Sequence, residues 1–453
     1  MARQKRQPVL FKDLYEKPVS VEFTRPHQTS DGGVILLSAM DKKMGLIQRV
    51  AQAIRDPRQR AKITYDIEAL LRERIFLIAC GYPKCDDADR LAHDPALKMV
   101  SNLRDGRLAS QPTLSRFENE VTKTDLFRMA LAITDTVIDC ERRKRSVRKV
   151  HRITIDMDPT EDPTYGDQQL TFFNAYYDNW CYLPMITTIQ FGDEAEQYQV
   201  APVLRPGNAN GSLGAIGILK RLVTRLRKTF PNATLYVRLD GAYSTPEVLA
   251  WLDANDLLYL VNMAKNSVLK GDAEPLMKKV RQLAQETGRT ATLYSETSYK
   301  AGKWKYARRA VIKAEVVVND KRELRDNPRF VITNLSLIPQ NVYRYYRERG
   351  DAENRIKELH YGLRFDLTSC TSFMANQLRN LLTGAAYALY QQLRYAARRT
   401  ELARAQVGTL RERLIKVGTV IKESVRRILL EMPKTFAWYD IWTRLAHALG
   451  AVT

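Results

Sequence analysis

Histidine and cysteine are scarce in this chain, with five of each among 453 residues. The thiols are Cys80, Cys85, Cys140, Cys181 and Cys370, and only Cys80 and Cys85 lie close together. His93 follows nearby, but a structural zinc site needs a fourth ligand that the neighbourhood does not offer. Scattered thiols of this kind fit a reducing, cytoplasmic setting. No run of about 18 apolar residues occurs, which removes membrane-spanning helices. The start, Met1 to Lys17, is basic but has no apolar core, so no secretory signal is expected there. Internal repeats and low-complexity segments are also missing. Acidic residues are in deficit, with 51 Asp and Glu against 72 Lys and Arg, a net charge of +21. Apolar residues make up 45% and charged residues 27%, an ordinary globular balance. The excess charge therefore implies a polyanionic partner, and nucleic acid is the commonest.

Residues 1 to about 150 read as a helical region. Asp31-Gly32-Gly33 opens the apolar run Val34-Ile35-Leu36-Leu37, and apolar residues spaced three to four apart run from Asp66 to Ile78 before Gly81-Tyr82-Pro83. Within Ser110 to Phe117, Thr113 or Ser115 is a candidate cap for a helix carrying Arg116, which would suit the opening of a DNA-reading helix. Glu141 to Arg152 is a basic run that reads as a solvated linker or a phosphate contact. From residue 152 the pattern changes to strands: Ile153 to Asp156, Leu170 to Tyr177, Tyr182 to Phe191 and Tyr198 to Leu204. A helix marked by Leu213, Ile216, Leu219, Val223 and Leu226 precedes a strand, Thr234 to Leu239, that delivers Asp240. Another helix and strand follow, to Met263. Three strands followed by alternating helix and strand match the order of a ribonuclease-H-like α/β domain. Residues 266–338 break the alternation as a β-rich insertion, and long helices are expected over Gln340 to Leu359 and Ser372 to Arg398. The tail, 399–453, is expected to be helical, ends in Phe436, Trp438, Tyr439 and Trp442 and is a candidate dimerisation region.

Acidic residues at element ends, drawn from distant parts of the chain, are what phosphodiester chemistry on two hard divalent cations requires. Asp156 and Asp158 alternate on one strand and so face one side. Asp240 ends its strand just before Gly241. Glu353 lies in a helix with Tyr346, Arg349 and His360 at offsets of minus seven, minus four and plus seven, which puts all four on one face. Tyrosine, arginine, glutamate and histidine make a poor core face and a good face for handling phosphate.

The segment Tyr346 to Leu359 resembles the signature of bacterial insertion-sequence transposases of the DDE type: Tyr, two residues, Arg, three residues, Glu, six residues, Lys. Tyr346, Arg349 and Glu353 match it, while His360 stands where lysine is usual and Lys357 lies one turn earlier. Asp158-Pro159-Thr160, Gln168 to Asn174, Val203 to Gly207 and Arg238-Leu239-Asp240-Gly241 are similar to further motifs of that family, across residues 25–395. The resemblance implies that Asp158, Asp240 and Glu353 hold Mg²⁺, with Mn²⁺ as an alternative and Asp156 as a further candidate ligand. It implies cleavage of double-stranded DNA at terminal inverted repeats, joining of 3′-hydroxyl ends to target DNA, and pairing of two copies as a homodimer. Tyr346, Arg349, Lys357, His360, Arg205 and Arg116 become candidate DNA contacts. In hairpin-forming members a tryptophan of the insertion stacks on a flipped base, and Trp304, flanked by basic residues including Arg308, is the candidate here. The domains expected are 1–150, 151–265 with the first part of the catalytic core, 266–338, 339–398 with Glu353, and 399–453. The alternative is a catalytically silent DNA-binding relative that regulates transposition.

Overall fold

The structure is a computed structural model that describes residues 7–13, 15–103, 106–319 and 323–452. Part of the basic start, residues 1–6, lies outside the described residues. Strands β1 (Val9–Phe11) and β2 (Val19–Val21) pair antiparallel, and β3 (Gln28–Thr29) leads into seven helices. These are α1 (Val34–Met44), α2 (Leu46–Ala53), α3 (Ile67–Cys80), α4 (Asp86–Arg90), α5 (Pro95–Val100), α6 (Gln111–Glu120) and α7 (Lys123–Lys144). Between β3 and α1, a Cβ on Gly33 would stand 1.8 Å from the Leu414 carbonyl oxygen, so the close approach there admits only glycine. Helix α6 starts earlier than its sequence suggested. Ser110 occupies the N-cap position and Pro112 sits in the first turn, which leaves Thr113 and Ser115 inside the helix. Part of the basic run after α7 turns inward: Lys144 and Arg145 both pair with buried Glu141, and Arg145 also with Glu194.

A strand-rich region follows. Strand β4 (Arg152–Pro159) is buried over most of its length, and its alternation sends Ile153, Ile155 and Met157 to one face and Thr154, Asp156 and Asp158 to the other. A small sheet, β5 (Asp162–Pro163), β6 (Phe172–Asn174) and β7 (Asn179–Tyr182), interrupts the chain before β8 (Met185–Phe191) and β9 (Gln197–Gln199). Then come α8 (Ala215–Thr229), β10 (Thr234–Leu239), α9 (Pro246–Ala254), β11 (Leu258–Met263) and α10 (Ser267–Thr287). Strands β12 (Ala291–Tyr299), β13 (Arg308–Val318), β14 (Leu324–Asp326) and β15 (Arg329–Thr333) complete one nine-stranded sheet in the order β12-β13-β15-β11-β10-β4-β8-β9, with β14 on β13. Strand β10 runs parallel to β4 and β11, and the remaining pairs are antiparallel. The fold is thus mixed α/β around a mixed sheet, consistent with a ribonuclease-H-like core. The strands of residues 266–338 extend that sheet edge to edge.

The long helix expected over Gln340 to Leu359 is two, α11 (Pro339–Arg347) and α12 (Gly350–Leu363). At the break, Arg349 and Ala352 bond back to Tyr346 and Arg349, three residues each, while Tyr345 lends its carbonyl to the Arg238 guanidinium at 3.0 Å. Helix α13 (Phe373–Ala396) has 18 buried residues and is the hub on which α1, α3, α6 and α7 pack. Its buried arginine is paired, Arg394 reaching Glu196 and Glu358, and Tyr387 donates to Glu358 at 2.7 Å. The tail is part strand rather than purely helical. After α14 (Val407–Leu410), β16 (Thr419–Glu423) pairs with both β17 (Ile428–Glu431) and β3, and α15 (Tyr439–Ala448) packs on α1 and α13. Among the described residues no helix is long and apolar enough to cross a membrane.

Candidate active site

The parallel register of β4 and β10 sets Arg238 opposite Asp156 and Leu239 opposite Met157. One residue further, Asp158, still paired with β8, and Asp240, just past the end of β10, therefore stand side by side. Gly241 to Tyr243 forms a tight turn there, and Asp240 accepts a hydrogen bond from the Ala242 amide at 2.9 Å. Glu353 comes to the same place on the first turn of α12, where the helix dipole favours a carboxylate. Arg349 joins the parts: one arm of its fork lies 2.8 Å from Asp158 and the other 2.9 Å from Glu353. Burial raises the Asp158 pKa to about 7; Arg349 opposes this, and the Asp240, Glu353 and Asp156 charges add to it. Burial also raises the pKa of Asp240.

The donor set fits a hard divalent cation. Three carboxylates from separate elements crowd into one field, and the cation now balancing them is Arg349. Among the described residues no three acidic, histidine or cysteine side chains stand close enough to enclose an ion. Arg349 holds Asp158 and Glu353 from either side instead.

The second carboxylate of the strand is placed differently. Asp156 is buried and takes both arms of the Arg238 fork, at 2.8 and 2.7 Å. Arg238 also donates to Gln190, to the Tyr345 carbonyl and to Glu348. Asp156 thus lies beneath the site and braces the helix break that carries Arg349, with its oxygens already engaged. Tyr346 is largely buried and donates to the Leu239 carbonyl at 3.4 Å; burial lifts its hydroxyl pKa to about 12. His360 lies 3.2 Å from the Thr160 hydroxyl, edge-on to Phe365, and burial lowers its pKa, so it is neutral near pH 7. Position 360 thus ties α12 to the Asp158-Pro159-Thr160 segment. Lys357 is exposed on the same helix. Beside Glu353 opens a cleft of about 740 Å³, lined by Lys265, Lys313, Arg329, Tyr346, Arg347 and Arg349 among others.

A family model described as Transposase DDE domain group 1 matches residues 11–452. The chain belongs to this transposase family. No curated protein matches the chain.

Other residues singled out in this transposase-family chain lie away from the carboxylates or are already engaged. Trp304 is 3% exposed, edge-on to Tyr299, with the Arg308 guanidinium over its ring. Arg308 is itself buried and paired with Asp253 at 2.6 Å. Neither presents a free face to DNA in this conformation. Arg205 is buried and donates to the carbonyls of Leu183, Asn210, Gly211 and Leu213, which fastens the loop before α8. A Cβ on Gly207 would stand 2.0 Å from the Cys181 carbonyl oxygen, so the Arg205-Pro206-Gly207 motif is explained by close backbone packing. Arg116 is exposed on α6, beside a cavity of about 250 Å³ between α6 and the Arg55–Arg58 loop. Cys85 is buried against Glu118, at 3.2 Å. Sequence reasoning passed over the roles of Arg238 and of the cleft lysines and arginines. The signal for Arg238 was an arginine inside an otherwise apolar strand, where a buried charge needs a partner.

Proposed function

We propose that the protein is a DNA transposase that binds the terminal inverted repeats of an insertion sequence, cleaves at the element's ends and joins the 3′-hydroxyl ends to target DNA. The observation that supports this reading is that Arg349 bridges Asp158 and Glu353, at 2.8 and 2.9 Å, while Asp240 follows β10, the strand paired with the one that carries Asp158. These three residues would hold Mg²⁺ or Mn²⁺. When bound, two such ions supply Lewis acidity to the attacking and leaving oxygens of an in-line displacement. The protein's own part is to position and to balance charge. Arg349 keeps the carboxylates neutralised until a phosphate competes for its fork, a bidentate geometry suited to both partners. Tyr346 and the lysines and arginines of the cleft guide the strand. Arg116, exposed on α6, would be one contact for duplex DNA, and Lys357 another beside Glu353. Two copies acting as a homodimer would pair the two element ends, within the cytoplasm.

The test is incubation of purified protein with a DNA fragment carrying the element's end, taken from the DNA flanking its gene, with and without Mg²⁺. Cutting at the end that depends on metal is expected, with Asp240→Ala slower by about a thousandfold or more. Binding without cutting in any metal would replace this reading with that of a silent DNA-binding regulator.

A further inference from the structure

With Trp304 buried, the rings free to stack near the carboxylates belong to a different element. Phe173, Tyr176 and Trp180 are all exposed on or beside the β6–β7 hairpin, Tyr176 by 87%, and Tyr165 stands exposed nearby. The hairpin is braced from below. Asn174 donates to the Gly207 carbonyl at 2.7 Å, Tyr182 donates to the Gln169 carbonyl at 2.6 Å, and Phe173 meets Trp180 edge-on at 6.4 Å. Exposed rings on a rigid support mark a binding face more often than a packing accident.

Its position and charge narrow the ligand. The hairpin is inserted between β4, which delivers Asp158, and β8, on the flank of the sheet away from the cationic cleft. Tyr177, in the hairpin turn, lies within the field of both Asp158 and Asp240. From Ile153 to Leu204 there is no lysine or arginine at all, in a chain with 72 of them. This segment therefore brings a phosphate no cation of its own. The cleft on the other side brings Lys265, Lys313, Arg329 and Arg347. A strand crossing the carboxylates between these walls turns its phosphates to the cleft and its bases to the hairpin. Only bases freed from their pairing partners offer a face to aromatic rings.

We infer that the β6–β7 hairpin is a stacking platform for unpaired bases of the DNA next to the cut, built from Phe173, Tyr176 and Trp180. The inference rests on the transposase reading above. It is tested with full-length protein in Ca²⁺, by comparing affinity for a duplex of the element's end with a short unpaired oligothymidine tail and for the same duplex without the tail. Trp180→Ala and Tyr176→Ala weaken binding of the tailed duplex by roughly ten- to a hundredfold and leave the blunt duplex within about twofold. Trp180→Phe keeps a ring and most of the affinity. Thermal melting checks that these exposed positions leave the fold intact. Equal effects on the two DNAs, or none, overturn the platform while leaving the transposase reading in place. Lost self-association with unchanged DNA affinity assigns the face to a second copy of the chain and overturns it as well. A wild-type protein that binds neither DNA overturns both readings.

Discussion

Asp156 and Asp158 stand two residues apart on one face of β4, and each is held by an arginine, yet the two pairs behave as different devices. Arg238 grips Asp156 with both arms, in a place from which both side chains are closed off to solvent, and it has three further acceptors. Arg349 gives Asp158 one arm only and spends the other on Glu353, a side chain 51% exposed. The buried pair is closed to water and to DNA and acts as a rivet. The outer pair is a clasp that a phosphate on one side and a divalent cation on the other can open. Depth of a single strand repeat separates structure from function. A third acid nearby, Asp162, extends the series: it is buried with no arginine at all, holding only the Thr368 hydroxyl at 2.9 Å.

The largest effect is expected from breaking the rivet. Arg238→Met leaves Asp156 buried and unpaired and should cost about 3–5 kcal/mol of stability, seen as a lower urea midpoint. Adding Asp156→Leu should restore most of it, since a matched apolar pair removes the stranded charge. An Arg238→Met protein as stable as wild type would show that the pair does not brace the fold.

Asp162 gives the next effect, and its sign follows from proton uptake. Burial raises its pKa to about 8 in the folded protein. An unfolded aspartate titrates near 3.9, so the folded state binds the extra proton between these values and stability falls as pH rises across the window. Asparagine has no charge to form there. The advantage of Asp162→Asn over wild type should grow by on the order of 2 kcal/mol from pH 5 to pH 8. A difference in urea midpoint that stays constant across that range would remove Asp162 from the comparison.

Opening the clasp should cost the fold less than breaking the rivet. Arg349→Gln leaves Asp158 without its charged partner and is expected to cost about 1–3 kcal/mol. In the absence of DNA it should bind Mn²⁺ about tenfold more tightly than wild type, roughly 1.4 kcal/mol by calorimetric titration. Unchanged or weaker Mn²⁺ binding would mean that Arg349 does not stand in for the cation.

The carboxylates were legible in the sequence because each sits where a strand or a helix begins or ends, and such ends have local signals: Asp240 before Gly241, Asp158 before Pro159, Glu353 four residues after Arg349. The order of elements along the chain was legible for the same reason up to β11, except that the strand expected over Leu170 to Tyr177 belongs to the small separate sheet. What escaped was set by tertiary contact. The break between α11 and α12 has no glycine or proline before Gly350; it arises because Arg238, over a hundred residues earlier, draws the Tyr345 carbonyl. Trp304 among lysines reads as a surface residue, yet Tyr299 and Arg308 enclose it. Residues 266–338 read as an insertion because their strands do not alternate with helices, and nothing local says that β15 will join the edge of β11. The pairing of β3 with β16 spans nearly the whole chain, beyond the reach of any local pattern.

That last contact, with the hub helix α13, gives the protein a late birth. Helices α1, α3, α6 and α7 leave the ribosome without the helix they share, which begins only after on the order of 230 further residues. At about 5–20 residues per second that delay is roughly ten to fifty seconds, during which these helices have one another but not the face of α13. A message broken before residue 373 therefore yields a chain whose first third keeps that apolar surface open, which suits a truncated copy better to disposal by proteases than to persistence as a partial competitor.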